Sequence, residues 1–292
     1  MFLILRKVPK NGIYRKIFKS EMPYTEIKIS DWIDRLQTQG WHAFSLEQLR
    51  EDLPGYSAIA AKRALSRLSD KQKAVSIARG YYLIIPPEYA ARGILPVTVF
   101  LDAFMKHLNR PYYLALLSAA AMHGSSHQQP QEFYVVTGLP ALRTTHKKGV
   151  KINYISKKLI KEQLLESIKT ESGYLKISNP LLTACDLLQF EKHIGGLNRA
   201  ATVINDMTDL IKAKDFTAAM IEYTPLSVLQ RLGFLLENVL GNQQLADALH
   251  KSLLSGDARL FRAPLKASGA KSGKPVDERW KVIVNTNIRL ED

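Results

Sequence analysis

Residues 29–89 carry three short helix signals followed by a hairpin signal, and this order constrains the fold more than any other feature of the chain. Each helical segment has apolar residues at helical spacing, and Ser30, Ser45 and Ser57 stand at the three predicted starts. Serine is a favourable N-cap because its hydroxyl oxygen accepts a hydrogen bond from a free backbone N–H. The next segment, "KAVSIARGYYLIIPP", alternates β-forming residues around a turn at residues 78–80. Three helices and a hairpin predict a winged helix-turn-helix.

The third helix separates into two faces when it is projected at about 100° per residue. The face predicted to pack inward consists of Ala58, Ala61, Ala64, Leu65 and Leu68. The outward face consists of Ile59, Lys62, Arg63, Ser66 and Arg67. Arginine pairs bidentately with guanine in the major groove, and lysine contacts phosphate. The predicted DNA-binding residues, including those leading into and along the wing, are Ser57, Ile59, Lys62, Arg63, Ser66, Arg67, Lys71, Lys73 and Arg79.

The charge of the whole chain agrees with this interpretation. The 292 residues carry a formal net charge of +14, with a sequence pI of about 9.7. Such a surplus attracts polyanions, and double-stranded DNA is the partner that the helix face suggests. A basic helix face is also an ordinary solvated surface, and some winged helices bind protein, so a protein-binding domain remains the alternative.

Residues 90–292 mix helical and β-rich segments without a regular βαβ alternation, which predicts an α+β fold. The segments "YYLALLSAAAMHG" and "KKLIKEQLLESI" are predicted as helices, and "EFYVV", "VKINYIS", "GYLKIS" and "RWKVIVN" as strands. We therefore expect an N-terminal winged helix-turn-helix followed by a larger mixed α+β domain. The expected division is an N-terminal extension at 1–28, the winged domain at 29–89 and the C-terminal domain at 90–292.

The sequence shows no complete catalytic or metal-binding motif. His123 and His127 have the i, i+4 spacing of helical zinc ligands, but "GSS" interrupts the helix between them and no HExxH pattern is present. No metal, cofactor or catalytic residue is expected. The polar loop residues His123, His127, Gln128 and Gln129 are instead a possible contact surface of the C-terminal domain. Cys185 lies among apolar residues and is expected in the core. The N-terminal "MFLIL" is too short for a secretory signal, so the expected location is the cytoplasm.

Several separated blocks resemble the AbiEi antitoxins of the AbiE abortive-infection, or type IV, toxin–antitoxin systems. They are "GYYLIIPPEYAARGILPVTVFLDAFMKHLNRPYYLALLSAAAMHGSSHQQPQEFYVV", "ISNPLLTACDLL", "QRLGFLLE" and "DERWKVIVN". The resemblance runs over about residues 29–292. It implies a phage-defence protein that represses its own operon by binding inverted repeats through its winged helix. It also implies a C-terminal domain that neutralises a nucleotidyltransferase-like toxin. In type IV systems this neutralisation needs no stable complex between antitoxin and toxin. The alternative is a nucleic-acid-processing enzyme with a winged-helix targeting domain; the family resemblance favours a protein that is not an enzyme.

Overall fold

The structure is a computed structural model that describes residues 27–125 and 132–290. The predicted extension at 1–28 lies outside the described residues except for Ile27 and Lys28. Within the described ranges, no helix has the length and apolar character needed to cross a membrane.

The first part of the chain has the element order and strand pairing of the predicted winged helix-turn-helix. Its elements are α1 (Ile29–Thr38), β1 (Ala43–Ser45), α2 (Leu46–Asp52), α3 (Ala58–Asp70), β2 (Ala74–Ala78) and β3 (Tyr81–Ile84). The three strands form an antiparallel sheet in the order β1-β3-β2. Ser45 caps α2 by accepting from the backbone N of Gln48 at 3.0 Å, and Ser57 caps α3 by accepting from Ala60 N at 3.2 Å. The hairpin turn lies at residues 79–80, as predicted.

Two local predictions in this part are wrong. Helix α1 begins at Ile29 with Lys28 as its N-cap, and the Ser30 hydroxyl donates to Asp31 instead of capping the helix. Ala58 was assigned to the inward face of the third helix but is exposed. It is the first residue of α3, so it lies beyond the part of the helix that the neighbouring elements cover.

A six-stranded mixed sheet forms the centre of the second part. Its elements and the flanking helices are α4 (Val97–His107), β4 (Tyr112–Leu114), α5 (Leu116–Met122), β5 (Glu132–Thr137), β6 (Thr145–Lys147), β7 (Val150–Ser156), β8 (Leu165–Thr170) and β9 (Gly173–Ser178). The strand order is β6-β7-β5-β4-β9-β8. Parallel pairs, β5 with β7 and β4 with β9, alternate with antiparallel ones.

Five helices and a small sheet complete the second part. They are α6 (Pro180–Gln189), α7 (Leu197–Met207), α8 (Ala218–Tyr223), α9 (Leu226–Asn238), α10 (Gln243–Ser255), β10 (Ala263–Pro264), β11 (Val276–Asp277) and β12 (Val282–Ile283). Asn179 caps α6 by accepting from Leu182 N at 2.8 Å, with Pro180 in the first turn. The fold is therefore α+β.

Alternate residues of the sheet pack on opposite layers, as the two-residue period of a strand requires. Tyr113 of β4 belongs to the core shared with α6, α7 and α9. Leu114, the next residue, belongs to a second core that contains α4. This second core also includes Tyr81 and Leu83 of the wing sheet, and the Tyr81 and Phe104 rings lie 5.3 Å apart. One apolar cluster therefore continues across residue 89, where the domain boundary was expected.

Two segments predicted as helices each contain a strand. The "YYL" of "YYLALLSAAAMHG" is β4, which pairs with β5 and β9, and only Leu116–Met122 are helical. The "LESI" of "KKLIKEQLLESI" belongs to β8, which pairs with β9 along its whole length, and the preceding residues form a loop and a single 3₁₀ turn. In both segments strand pairing overrides local helix propensity: β4 pairs with strands that are distant in sequence, and β8 pairs with β9 in a hairpin.

Candidate nucleic-acid interface

The outward face of α3 is solvent-exposed over its whole length. The five side chains that the helical projection assigns to this face are all exposed: Ile59, Lys62, Arg63, Ser66 and Arg67. Ile59 has an exposed fraction of 67%, which is high for a large apolar side chain. The opposite face buries Ala61, Leu65 and Leu68 in the apolar cluster with α1 and α2. The packing of that inward face fixes the orientation in which the cationic face is presented to solvent.

The predicted wing residues differ in their surroundings. Lys71 and Arg79 are exposed, and Arg79 stands at the turn between β2 and β3. Lys73 is also exposed, but its Nζ lies 3.2 Å from a carboxylate oxygen of Asp34 on α1. Both side chains are about half exposed, so this ion pair is weak and can exchange for phosphate. Ser57 accepts the helix-capping hydrogen bond, which leaves only its O–H as a free donor toward DNA.

The predicted contact surface in the polar loop is only partly described. His123 is half-buried, and its Nε2 donates to the backbone oxygen of Ser178 at 2.8 Å, which ties the end of α5 to the end of β9. Nearby, Ser118 accepts from Tyr134 N at 3.0 Å. His127, Gln128 and Gln129 lie outside the described residues. The role of this loop as a contact surface stays a prediction, while His123 has a structural role.

A second arrangement of charged groups, which sequence reasoning did not single out, lies in the C-terminal part. Asp186 on α6 is fully buried and accepts two hydrogen bonds: Lys157 Nζ donates to Oδ1 at 2.7 Å, and the Tyr113 hydroxyl donates to Oδ2 at 2.8 Å. The Lys157 ammonium also lies 4.7 Å from the centre of the Tyr223 ring and 5.6 Å from that of Phe190. An ammonium over aromatic faces is stabilised by the ring quadrupoles.

The pKa shifts of this cluster follow from burial and pairing. Burial opposes the charge on Lys157, but the Asp186 carboxylate outweighs it and raises the pKa of the lysine, so it remains an ammonium. Burial raises the pKa of the Asp186 carboxyl, while Lys157 and Tyr113 oppose that change. Burial also raises the pKa of the neighbouring Cys185 thiol to about 12. Cys185 is thus a buried, protonated core residue, as the sequence predicts.

A surface pocket of about 310 Å³ opens beside Lys157. Its lining comes from three separate stretches of the chain: Lys157, Lys158, Leu159, Lys161, Gln189, Glu222, Tyr223 and Pro225. No sequence motif joins these stretches, and only the folded chain brings them together. Within residues 27–125 and 132–290, no group of three or more His, Cys, Asp or Glu side chains is placed to hold a metal ion.

Comparison with known families identifies the segment that contains this cluster. Residues 113–238 match the family described as the AbiEi antitoxin C-terminal domain. This segment belongs to the AbiEi family. The match confirms the resemblance predicted from the sequence, and it covers β4 through α9, including Lys157, Asp186 and Tyr223. Membership of an antitoxin family supports an antitoxin role in a toxin–antitoxin system.

Solved structures show how far the fold is shared. The RV2827C protein from Mycobacterium tuberculosis aligns with a TM-score of 0.60 at 16% identity, covering 87% of this chain and 89% of that one. An antigenic nucleotidyltransferase-like protein from Paracoccidioides brasiliensis aligns with a TM-score of 0.34 at 11% identity, covering 52% of this chain and 90% of that one. The first alignment supports the α+β fold of this chain, and the second is too distant to support any argument. No curated protein sequence matches the chain.

Proposed function

We propose that this chain is an antitoxin that also represses its own operon, binding operator DNA through residues 29–89 and neutralising a nucleotidyltransferase-like toxin through residues 90–292. The observation that carries the DNA-binding part is the exposed cationic face of α3, beside an exposed wing-turn arginine. The observation that carries the antitoxin part is the AbiEi match at residues 113–238.

The residues of α3 divide between base reading and phosphate contact. Arg63 and Arg67 are four residues apart, so they lie on adjacent turns of one helix face and reach successive bases in a major groove. Lys62, at one side of that face, meets the phosphate backbone. Ile59 is the exposed apolar residue near the helix N-terminus, and its natural contact is a thymine methyl group. Arg79 on the wing reaches the backbone or the minor groove.

Binding to the operator at several salt concentrations tests the DNA-binding part of the proposal. The full chain is titrated against a labelled duplex of its own promoter region and against a scrambled duplex of equal length. A DNA-binding function predicts tighter binding to the promoter and a linear fall of log affinity with log salt, because phosphate contacts release counterions. Equal affinity for both duplexes, or affinity that does not depend on salt, would contradict operator recognition and favour the protein-binding alternative.

Coexpression with the toxin of the same operon tests the antitoxin part. We expect the full chain to restore growth when the toxin is induced. The Arg63→Ala, Arg67→Ala double variant should restore growth equally when it is expressed from an independent promoter, because it leaves residues 113–238 unchanged. Absence of rescue by the full-length chain, with both proteins present at comparable levels, would contradict the antitoxin role.

A further inference from the structure

We propose that the pocket beside Lys157 is a binding site for a small phosphate-bearing molecule, held by the ammonium groups of Lys157, Lys158 and Lys161. This site is separate from the DNA-binding face of α3 and is independent of the proposed repressor function. Three features carry the inference: the convergence of three lysines on one concavity, the placement of the charges, and the anchoring of the loop that bears them.

Three lysines line one small concavity. Lys157, Lys158 and Lys161 all line the pocket, whose volume of about 310 Å³ is at the lower end of the range of small-molecule sites. Three cations placed together repel one another, so their convergence favours occupation by an anion. Gln189, from the end of α6, adds an amide N–H donor at the wall, which is also suited to a phosphate oxygen.

The carboxylates near the pocket leave it positively charged. Asp186 neutralises Lys157 from the buried side, and Glu222 neutralises Lys161 from the rim, which leaves a net single positive charge among the five groups. The Glu222 side chain is 78% exposed, so an entering anion can displace it at little cost. Asp186 accepts one of the three ammonium hydrogens of Lys157, and the Lys157 side chain, which is 14% exposed, also belongs to the pocket lining. A phosphate would accept a remaining hydrogen there.

The walls of the pocket are held in place before any ligand arrives. The backbone N of Lys157 donates to the Thr137 oxygen at the end of β5 at 3.0 Å. Two residues later, the Tyr223 hydroxyl donates to the Leu159 oxygen at 3.1 Å. The lysine-bearing loop is therefore attached at one point to the sheet and at another to the end of α8. A preformed site of this kind loses little conformational entropy when it binds a ligand.

A nucleophilic role for Lys157 does not fit the same geometry. A lysine that forms a Schiff base needs a neutral amine, which requires a lowered pKa. Pairing with Asp186 instead keeps the pKa of Lys157 above its ordinary value. The lysine is thus suited to hold an anion by charge and hydrogen bonding.

Pyrophosphate is the probe that tests the site. Isothermal titration of the full chain with pyrophosphate should show saturable binding. The Lys158→Ala, Lys161→Ala double variant should lose at least about tenfold in affinity, as charge-assisted hydrogen bonds are removed. The matched control is the Lys214→Ala, Lys251→Ala double variant, which removes two exposed lysines outside the pocket and should stay within about twofold of the parent. Absence of saturable binding, or equal losses in the two double variants, would overturn the proposal.

A site-specific measurement distinguishes pyrophosphate binding in this pocket from nonspecific binding and from the binding of nucleic acid. The ¹⁵N resonance of the Lys157 side chain, assigned by its absence in Lys157→Arg, should shift on addition of pyrophosphate and saturate with the calorimetric curve. An operator duplex should neither cause that shift nor compete with pyrophosphate. An unmoved Lys157 resonance, or displacement of pyrophosphate by the duplex, would show that the phosphate is bound elsewhere and would contradict the site.

Discussion

At the scale of single residues, Trp280 shows how the C-terminal segment is fixed to the helical core. Its indole N–H donates to Glu237 at 2.6 Å, and its backbone oxygen accepts from Gln230 Nε2 at 2.7 Å. The ring lies against the backbone of Gly233 in α9, where a Cβ atom would stand only 2.1 Å from the Trp280 ring. Glycine is required there because a close approach of ring and backbone leaves no space for a side chain.

We predict that Gly233→Ala destabilises the protein by about 2 kcal/mol or more, since the added methyl group forces the buried indole out of its position. Chemical unfolding followed by tryptophan fluorescence measures the change. Gly256→Ala is the control, because Gly256 is exposed with φ −94° and its Cβ would be 3.5 Å from Ser252 O, an ordinary van der Waals distance. That variant should stay within about 1 kcal/mol of the parent. Equal stability of the two variants would show that the ring is not packed against Gly233.

Asp186 gives a second prediction at this scale. Asp186→Leu should lower the free energy of unfolding by about 3–5 kcal/mol, because the Lys157 ammonium would stay buried without its counter-ion. Adding Lys157→Met should recover a large part of that loss, since it removes the unpaired charge. Denaturant titration of the two single variants and the double variant measures the coupling. If the free-energy losses of the two single variants add up to that of the double variant, the two groups do not interact in the folded protein.

At the scale of elements, local signals predicted the winged part well because its elements are bounded by short-range chemistry. Ser45 and Ser57 cap their helices as expected, and the turn at residues 79–80 joins β2 and β3. The exposed face of α3 also follows from helical periodicity alone. The one capping error, at Ser30, arose because Lys28 takes the N-cap position two residues earlier.

The central sheet was predicted in part, since "EFYVV", "VKINYIS" and "GYLKIS" are strands β5, β7 and β9, but β4 was not, because it is defined by distant partners. The sequence pattern predicts Tyr112–Leu114 as the start of an Ala-rich helix, yet these residues pair with β5 on one side and β9 on the other. No local sequence pattern indicates the Lys157 pocket either, because its walls come from residues far apart in the chain. A single sequence contains no direct signal for either arrangement.

The cap of α3 provides a prediction at the element scale. Ser57→Ala should lower stability by about 0.5–2 kcal/mol, because the Ala60 N–H loses its acceptor. Ser66→Ala, on the exposed face of the same helix, should be neutral or slightly stabilising because alanine is the better helix former. Thermal unfolding of both variants checks the difference. A neutral Ser57→Ala would contradict the assignment of Ser57 as the cap.

At the scale of the whole molecule, the two parts share an apolar core. Tyr81 and Leu83 of the wing sheet pack in the same cluster as Phe104 of α4 and Leu114 of the central sheet. A fragment beginning at residue 90 would expose the surfaces that those wing residues cover. The proposed DNA-binding and antitoxin functions are therefore best separated by surface substitutions in the full chain, which leave the shared core intact.

Salt dependence gives a prediction about the whole interface. Lys62→Ala should weaken binding to every duplex about equally and reduce the slope of log affinity against log salt by about 1, because one phosphate contact is lost. Lys214→Ala, which removes an exposed lysine distant in sequence from α3, is the matched control and should leave the slope unchanged. The two slopes are measured by fluorescence anisotropy. A loss of affinity confined to one DNA sequence would instead show that Lys62 contacts a base.

Operator binding by the Arg63→Ala, Arg67→Ala double variant measures whether the exposed face of α3 reads DNA. Fluorescence anisotropy at fixed salt compares it with the parent and with Arg259→Ala, Arg289→Ala, which removes two exposed arginines from the C-terminal segment. We expect the α3 variant to retain the parental unfolding transition and to lose its preference for the operator over a scrambled duplex, while the control retains that preference. An α3 variant that binds the operator with parental affinity and preference would show that this face does not read DNA.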